Sequence, residues 1–241
     1  MSRSSRHFLL SPFQNEKLEY YFRFLAPDED GNLEKNSIAR LMDRILDFTG
    51  WDEQSPMAHE CREVHEAFFE LLFEKARETE GSAVGKVTLE NWLSMWSGIL
   101  PGVMSMHNLP VWLRLMPQLL FKIVDRRRQN YLTANDLEIF YKEMVHLDPD
   151  QAHETALEAY DHMTDNGRYP LDLNSYEQLF ANFLIGRTPY GPGRYIFGCF
   201  EHDVQPFQLI APAPEPDDNV IEVKKVTAGR RPSRQLSLGH S

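Results

Sequence analysis

The sequence predicts an all-α protein made of four paired helix-loop-helix units. Three observations lead to this prediction. Apolar residues recur at helical spacing in eight segments between residues 18 and 184. One six-residue pattern stands between the two helices of every unit. No segment sustains the alternation of apolar and polar residues that is typical of strands, so we expect no large sheet.

The first two helices form the first unit. Ser11, Pro12 and Gln14 mark a helix start, because Ser can cap the first turn, Pro has no N–H to lose there and Gln can reach back. Gly50 is expected to end the second helix, since glycine readily adopts the left-handed closing conformation. The apolar faces are Leu18, Tyr21, Phe22 and Leu25 in the first helix and Ile38, Leu41, Met42, Ile45 and Leu46 in the second.

Six further apolar stripes predict the other helices. The fourth helix should end at Pro101-Gly102, Pro110 should open the fifth, and Asp148 should cap the seventh. The stripes contain Val64, Phe68, Leu71 and Leu72; Trp92, Met95, Trp96 and Ile99; Trp112, Leu115, Met116, Leu119 and Ile123; Leu137, Phe140, Tyr141 and Met144; Leu157 and Tyr160; and Leu179, Phe180, Phe183 and Leu184.

These units divide the chain into three parts. We predict one pair of units at 11–100 and a second pair with a packed C-terminal segment at 108–200. From about residue 201, prolines and charged residues replace the apolar stripes, which predicts a disordered tail over 201–241. Ser233 and Ser237 in this tail each follow an arginine three residues back and are candidate phosphorylation sites.

The six-residue pattern identifies the units. It begins with an aliphatic residue, continues with a capping or acidic residue, and ends with an apolar residue. In an EF-hand, the aliphatic residue holds loop position eight, where two loops pair, and the last residue starts the core face of the exiting helix. Four copies favour four EF-hand-like units. The pattern occupies residues 33–38, 87–92, 132–137 and 171–176.

Three short segments add a resemblance to a known family. They are Gly50-Trp51, Trp92-Leu-Ser-Met-Trp96 and Pro192-Gly-Arg-Tyr-Ile-Phe-Gly198. With them, residues 12 to 200 resemble the sarcoplasmic calcium-binding protein and calexcitin family of EF-hand proteins. The resemblance implies a compact body of two EF-hand pairs, with the segment around Tyr195 to Phe197 folded back against the core. It also implies a calcium-binding protein.

The calcium ligands depart from that family's pattern. A calcium-binding loop offers side-chain oxygens at positions one, three and five, a carbonyl at seven and a two-oxygen Glu at twelve. Every loop lacks this Glu, because position twelve holds Ser37, Asn91, Asp136 and Ser175. We therefore expect calcium binding to be weak or absent.

Two loops keep candidate metal ligands. In the first, Asp28 and Asp30 hold positions three and five, Asn32 can offer its carbonyl, and Glu34 can act through water. This set predicts a weak site.

The third loop keeps two candidate ligands beside a competing cation. Asp125 and Asp136 retain its two ends, yet Arg127 stands at position three. This side chain opposes a divalent cation unless it swings outward. Ion pairing of the two carboxylates with neighbouring arginines is the competing interpretation, and the other two loops are expected to be structural.

Composition and motifs exclude several function classes. A net charge of −11 argues against a nucleic-acid-binding surface, and no apolar run is long enough to span a membrane. The spacing of His59 and His65 does not match a zinc-protease helix, and Cys61 is expected to pack as a small apolar residue. No nucleotide-binding or nucleophile motif is present. We do not expect an enzyme.

The sequence thus predicts a divergent cytoplasmic EF-hand protein. Calcium is the only cofactor expected, with weak or absent binding, and the expected role is interaction with an unidentified protein partner in calcium signalling. The alternative is a working calcium buffer or sensor. The aromatic residues Trp92, Trp96, Trp112, Phe140 and Tyr141 could line a partner groove, but core packing is the preferred interpretation.

Overall fold

The computed structural model describes residues 10–77 and 85–198. The predicted tail at 201–241, with Ser233 and Ser237, lies outside the described residues, and so does most of the second loop before Gly85.

Helices dominate the described part of the chain, as the sequence predicts. Two short strands, β1 (Leu33–Glu34) and β2 (Lys86–Val87), and two 3-10 turns, Met106–Asn108 and Pro192–Phe197, accompany them. We call Pro192–Phe197 the closing segment. The helices are α1 (Pro12–Phe24), α2 (Lys35–Thr49), α3 (Pro56–Arg77), α4 (Leu89–Ile99), α5 (Val111–Val124), α6 (Ala134–Glu143), α7 (Pro149–Thr164) and α8 (Leu173–Ile185).

Helix ends follow the predicted capping residues. The backbone N–H of Ser11 donates to Gln14 Oε1 at 3.0 Å, and the N–H of Gln14 donates to Ser11 Oγ at 3.2 Å. Gly50 ends α2 with φ of 68°. Pro110 precedes α5, and the Asp148 side chain caps α7. Local capping chemistry therefore sets these boundaries.

The loops pair at position eight, as the repeated pattern predicts. Strands β1 and β2 are antiparallel and place Leu33 opposite Val87. In the other pair, the backbone N–H of Leu132 donates to the carbonyl of Leu171 at 2.8 Å. The predicted four units in two pairs are confirmed.

The two pairs share one core. Helix α3 contacts α5, α5 contacts α8, and α1 contacts α8. Residues from every helix contribute to a single cluster of buried apolar side chains. The boundaries 11–100 and 108–200 stay predictions.

Aromatic side chains form the centre of this core. Tyr21 packs edge to face on Trp92 with ring centres 5.3 Å apart and stacks on Phe197 at 5.0 Å. Trp92, Trp96, Phe140 and Tyr141 are all buried. Trp112 is partly buried and stacks on Phe68. Core packing, rather than a partner groove, is the use that the fold makes of these residues.

The closing segment folds back onto the core, as the family resemblance implies. Tyr195, Ile196 and Phe197 are each at most 2% exposed. Gly193 allows the close approach, because a Cβ there would lie 2.4 Å from the Leu179 carbonyl oxygen on α8. The Tyr141 hydroxyl donates to the Tyr195 carbonyl and so fixes the segment against α6.

A buried lysine ties the first helix to the last. Lys17 on α1 is 1% exposed and donates from Nζ to the carbonyls of Phe183 and, at 2.6 Å, Gly186 at the end of α8. Carbonyls at a helix C-terminus favour a cation. Burial nevertheless lowers the pKa of Lys17 to about 7. The contact joins the first EF-hand to the fourth.

Candidate functional site in the EF-hand loops

The first loop keeps the backbone turn of an EF-hand. Gly31 at position six has φ of 78°, a conformation that L side chains rarely adopt. The N–H of Asp28 donates to the Asn32 carbonyl, and the Asp28 carboxylate accepts from the N–H of Asn32, both at 2.7 Å. The loop is therefore tightly folded by its own hydrogen bonds.

A lysine from the neighbouring loop lies between the carboxylates at positions three and five. Lys86 Nζ on β2 is 3.1 Å from Asp28 Oδ2 and 3.7 Å from Asp30 Oδ2. The backbone N–H of Asn32, and then Lys86, hold the pKa of Asp28 below its usual value, while Asp28 raises the pKa of Lys86. An ammonium group thus compensates the two acids that the sequence offers to a metal.

An arginine on α2 joins the remaining ligand positions of the first loop. Arg40 Nη1 donates to Glu34 Oε1 at 2.9 Å, and its Nη2 donates to Ser37 Oγ at 2.8 Å. The same nitrogen donates to the carbonyl of Ala26 at 2.9 Å. One guanidinium therefore bridges positions one, nine and twelve, which in an EF-hand meet at the ion.

The third loop also keeps an EF-hand backbone. Asn130 at position six has φ of 64°, which supplies the turn that glycine provides in the first loop. Asp125 is 6% exposed, and its carboxylate accepts from the N–H groups of Gln129 at 2.9 Å and Asn130 at 2.8 Å. The position-one carboxylate therefore already organises the loop.

An arginine within the third loop holds the position-twelve carboxylate. Arg127 Nη2 lies 2.9 Å from Asp136 Oδ2, and its Nε donates to Asp136 Oδ1 at 3.2 Å. The side chain turns inward, and the carboxylate raises its pKa. Asp136, 4% exposed, also accepts from the N–H and hydroxyl of Thr133. The carboxylate is fully engaged in ion pairing and helix capping.

Short side chains at position twelve fold back onto the start of the exiting helix. Ser37 Oγ accepts from the N–H of Glu34, and Asn91 Oδ1 accepts from the N–H of Thr88. The Asp136 bond to Thr133 follows the same geometry. A side chain that caps its own helix does not extend toward an ion, so the exiting helices are secured by protein contacts alone.

The fourth loop has a different backbone. Three consecutive residues, Asp165, Asn166 and Gly167, have positive φ. The Thr164 hydroxyl at position one donates to the Tyr160 carbonyl at 2.6 Å, and Arg168 pairs with Asp165. These contacts hold the loop together within the protein, and its purely structural role stays a prediction.

The predicted ligands surround cations of the chain. Within the described ranges, no three His, Cys, Asp or Glu side chains cluster as a metal site would require. Asp28 and Asp30 meet Lys86, Glu34 meets Arg40, and Asp136 meets Arg127. Each of these carboxylates therefore pairs with a cation that belongs to the chain.

The histidines and the cysteine of α3 have structural contacts. His65 Nδ1 bonds the Cys61 carbonyl at 2.8 Å inside the core, and His59 lies beside Glu63 on the surface. Burial raises the pKa of the Cys61 thiol to about 12, so the thiol stays protonated. Cys61 packs as the small apolar residue that was predicted.

Sequence and structure comparisons both find sarcoplasmic calcium-binding proteins. The chain is 26% identical over 185 residues to sarcoplasmic calcium-binding proteins II, V, VI and VII of Branchiostoma lanceolatum, covering 73% of this chain and 91% of the relative. The solved structure of an amphioxus sarcoplasmic calcium-binding protein matches with a TM-score of 0.64 at 22% identity, over 79% of this chain and 99% of that one. This chain is similar to sarcoplasmic calcium-binding proteins in sequence and has the same EF-hand fold.

Other comparisons agree on the fold. Calcium-loaded apo-aequorin from Aequorea victoria matches with a TM-score of 0.56 at 16% identity, over 74% of this chain and 93% of that one. No family model matches the chain. The narrower likeness to calexcitin stays a prediction. None of the described helices is long and apolar enough to cross a membrane.

The sequence pattern did not point to two cations of the first loop. Arg40 lies one helical turn beyond position twelve, and Lys86 lies at position seven of the second loop. A register signal was available for Lys86, because pairing at position eight places it opposite Glu34. For Arg40, the available signal was its i+3 spacing from Ser37.

Proposed function

We propose that this chain is a sarcoplasmic-type EF-hand protein that binds calcium weakly or not at all and acts in the cytoplasm through a protein partner. One observation carries the proposal: the protein's own cations occupy the ligands of both candidate loops. Arg40 and Lys86 do so in the first loop and Arg127 in the third.

Electrostatics supports this proposal. A calcium ion entering either loop would approach a fixed cation of the same sign and would have to displace it from its carboxylates. The cations belong to the chain, so they do not dissociate. Both loops also lack the position-twelve Glu, whose two oxygens would otherwise offset the cost of that displacement.

The fold supports an interaction role rather than a calcium switch. Sensor EF-hands open an apolar groove when calcium binds. Here the closing segment fills the core, with Phe197 packed against Tyr21 and Phe24. A partner would therefore recognise an outer surface that exists without calcium. No enzymatic activity is part of this proposal.

Calorimetric titration of the full chain with calcium, in the presence of magnesium, tests the first half of the proposal. We expect no saturable binding tighter than about 10⁻³ M, the weak end of EF-hand affinities. A dissociation constant in the micromolar range would overturn it.

The interaction half needs its own test. We expect the set of cytosolic proteins bound by the full chain to be the same with calcium and with a chelator. Capture that requires calcium would contradict it, and so would the absence of any specific partner.

The second candidate function is a calcium buffer or sensor. The names of the relatives favour it, and so does the position-five carboxylate of Asp30, whose side chain is 80% exposed and only 3.7 Å from its cation Lys86. Under this alternative, calcium binds measurably, and the double substitution Asp28→Asn with Asp30→Asn abolishes binding.

A further inference from the structure

A cavity of about 390 Å³ lies away from the loop ligands described above. Its lining comes from helices α1 and α2, the chain after α6, the start of α7 and the closing segment. Phe24, Met144 and Phe197 give it apolar walls, and Arg23, Arg44 and His146 line its polar side. Its volume falls in the range of about 300–1,000 Å³ found for small-molecule sites.

The charge of this cavity is opposite to that of the protein. The whole chain has a net charge of −11, yet none of the described residues lining the cavity is Asp or Glu. Arg23 has a partner, because it pairs with Glu19 on the same helix. His146 adds a hydrogen-bonding group, and both burial and the charge of Arg44 lower its pKa, so the imidazole is neutral near pH 7.

Arg44 carries the uncompensated charge. Its Nη2 donates to the Phe24 carbonyl at 2.8 Å, and the guanidinium lies 5.4 Å from the centre of the Phe24 ring. Its Nε is buried without a hydrogen-bond partner in the described part of the chain. No described carboxylate lies within ion-pair distance of this group. A partly buried guanidinium with an unused buried donor and no counter-ion is costly unless something pairs with it.

We propose that this cavity binds an amphipathic organic carboxylate. The carboxylate pairs with the Arg44 guanidinium, and the apolar part lies against Phe24, Met144 and Phe197. One unpaired positive charge calls for a monoanion, and the planar guanidinium matches the two oxygens of a carboxylate. The mixed walls call for an apolar body of limited size. This binding function goes beyond the proposed interaction role and does not depend on calcium.

Dodecanoate is a suitable probe, with the neutral alcohol dodecanol as its matched control. The full chain, with methionines carrying ¹³C-labelled methyl groups, is titrated with each compound while the Met144 methyl resonance is followed. We expect saturable dodecanoate binding that shifts this resonance. We expect dodecanol to bind at least tenfold more weakly, because it cannot pair with Arg44.

Substitution separates the cavity from the rest of the surface. Arg44→Met should weaken dodecanoate binding by about tenfold or more and leave dodecanol binding nearly unchanged. Arg168→Met is the matched control, since Arg168 is an exposed arginine of the fourth loop and should have no effect. If Arg44→Met fails to fold, Arg23→Met serves as the second variant, with an expected loss of about two- to fivefold.

Three results would overturn the proposal. One is a failure of dodecanoate to bind the full chain. Another is equal affinity for dodecanoate and dodecanol. The last is saturable binding at another site, shown by a Met144 resonance that does not move or by equal weakening in the Arg168→Met and Arg44→Met variants.

Discussion

The first and third loops reach a similar end by different routes. In the first loop the compensating cations come from outside, since Arg40 lies on the following helix and Lys86 on the partner strand. In the third loop the cation stands at a ligand position, since Arg127 occupies position three and reaches across to Asp136. The first loop keeps its acids and has them neutralised, whereas the third has exchanged one ligand for a cation.

This difference separates two ways in which cations of the chain can compensate the ligand carboxylates of an EF-hand. External cations leave the ligand set in place, so removing them exposes acids that the loop still has. A cation that occupies a ligand position, such as Arg127, must itself be replaced by an oxygen-bearing residue before the set of calcium ligands is complete. Burial also differs, because Asp136 is 4% exposed while Asp30 is 80% exposed. The third loop should therefore matter more to stability, and its repair should change calcium affinity more.

Repair of the third loop has the largest expected effect. Arg127→Asp with Asp136→Glu would supply oxygens at positions one, three, five, seven, nine and twelve on a backbone that Asn130 already turns. Calorimetry should show calcium affinity rising at least a hundredfold, to roughly 10⁻⁷–10⁻⁵ M.

The matched control moves the new acid by one residue. Arg128→Asp with Asp136→Glu makes the same change in charge at position four, which is not a ligand position. An equal gain in this control would show that net charge, rather than the position of Arg127, limits calcium binding.

Removal of the buried carboxylate should give the next effect. Asp136→Ala removes the partner of Arg127 and the cap at Thr133, so we expect the free energy of unfolding to fall by about 1–3 kcal/mol. Urea denaturation measures the change. Asp30→Ala is the control, with an expected change within about 0.5 kcal/mol, because its carboxylate is on the surface. Similar losses for the two variants would remove the distinction between the loops.

Unlocking the first loop should have a smaller effect on calcium. Arg40→Met with Lys86→Met frees Asp28, Asp30 and Glu34, and we expect calorimetry to show about a tenfold gain in calcium affinity. The gain is limited because Ser37 still stands where a bidentate Glu is needed.

The control for this pair removes two other paired cations. Arg62→Met with Lys122→Met makes the same change in net charge, since these residues pair with Glu53 and Glu60 on the surface. If Arg40→Met with Lys86→Met raised calcium affinity as much as the third-loop repair does, the expected ranking of the two loops would be wrong.

The Asp28–Lys86 ion pair gives the smallest effect and depends on pH. The pKa of Asp28 is lowered in the folded chain, so its contribution to stability is complete above the unperturbed value of 3.8 and is lost as pH falls below it. Asp28→Asn should therefore lower the midpoint temperature of thermal unfolding at pH 6. The difference between the variant and the unchanged chain should shrink at pH 2.5 and in 1 M salt. Glu29→Gln, on the same turn, is the control. A difference independent of both pH and salt would argue against the ion pair.

Much of the fold was predictable because its signals are local. The capping box of Ser11 and Gln14, the left-handed Gly50 and the aliphatic residue at position eight of each pattern act over a few residues, and the structure uses each as expected. The absence of a position-twelve Glu was equally visible. These features depend on backbone chemistry that neighbouring residues satisfy among themselves.

The sequence by itself determined that this is an all-helical protein of paired EF-hand units with damaged calcium ligands. Tertiary structure decided where two of the cations lie: the side chain of Lys86 reaches Asp28 because β1 pairs with β2, and Arg44 lies without an ion pair where five segments line one cavity. The physical reason is the separation along the chain over which each interaction acts. Helix caps and loop turns act over three or four residues, whereas the Lys86 ion pair and the cavity depend on which distant segments the packed core brings together.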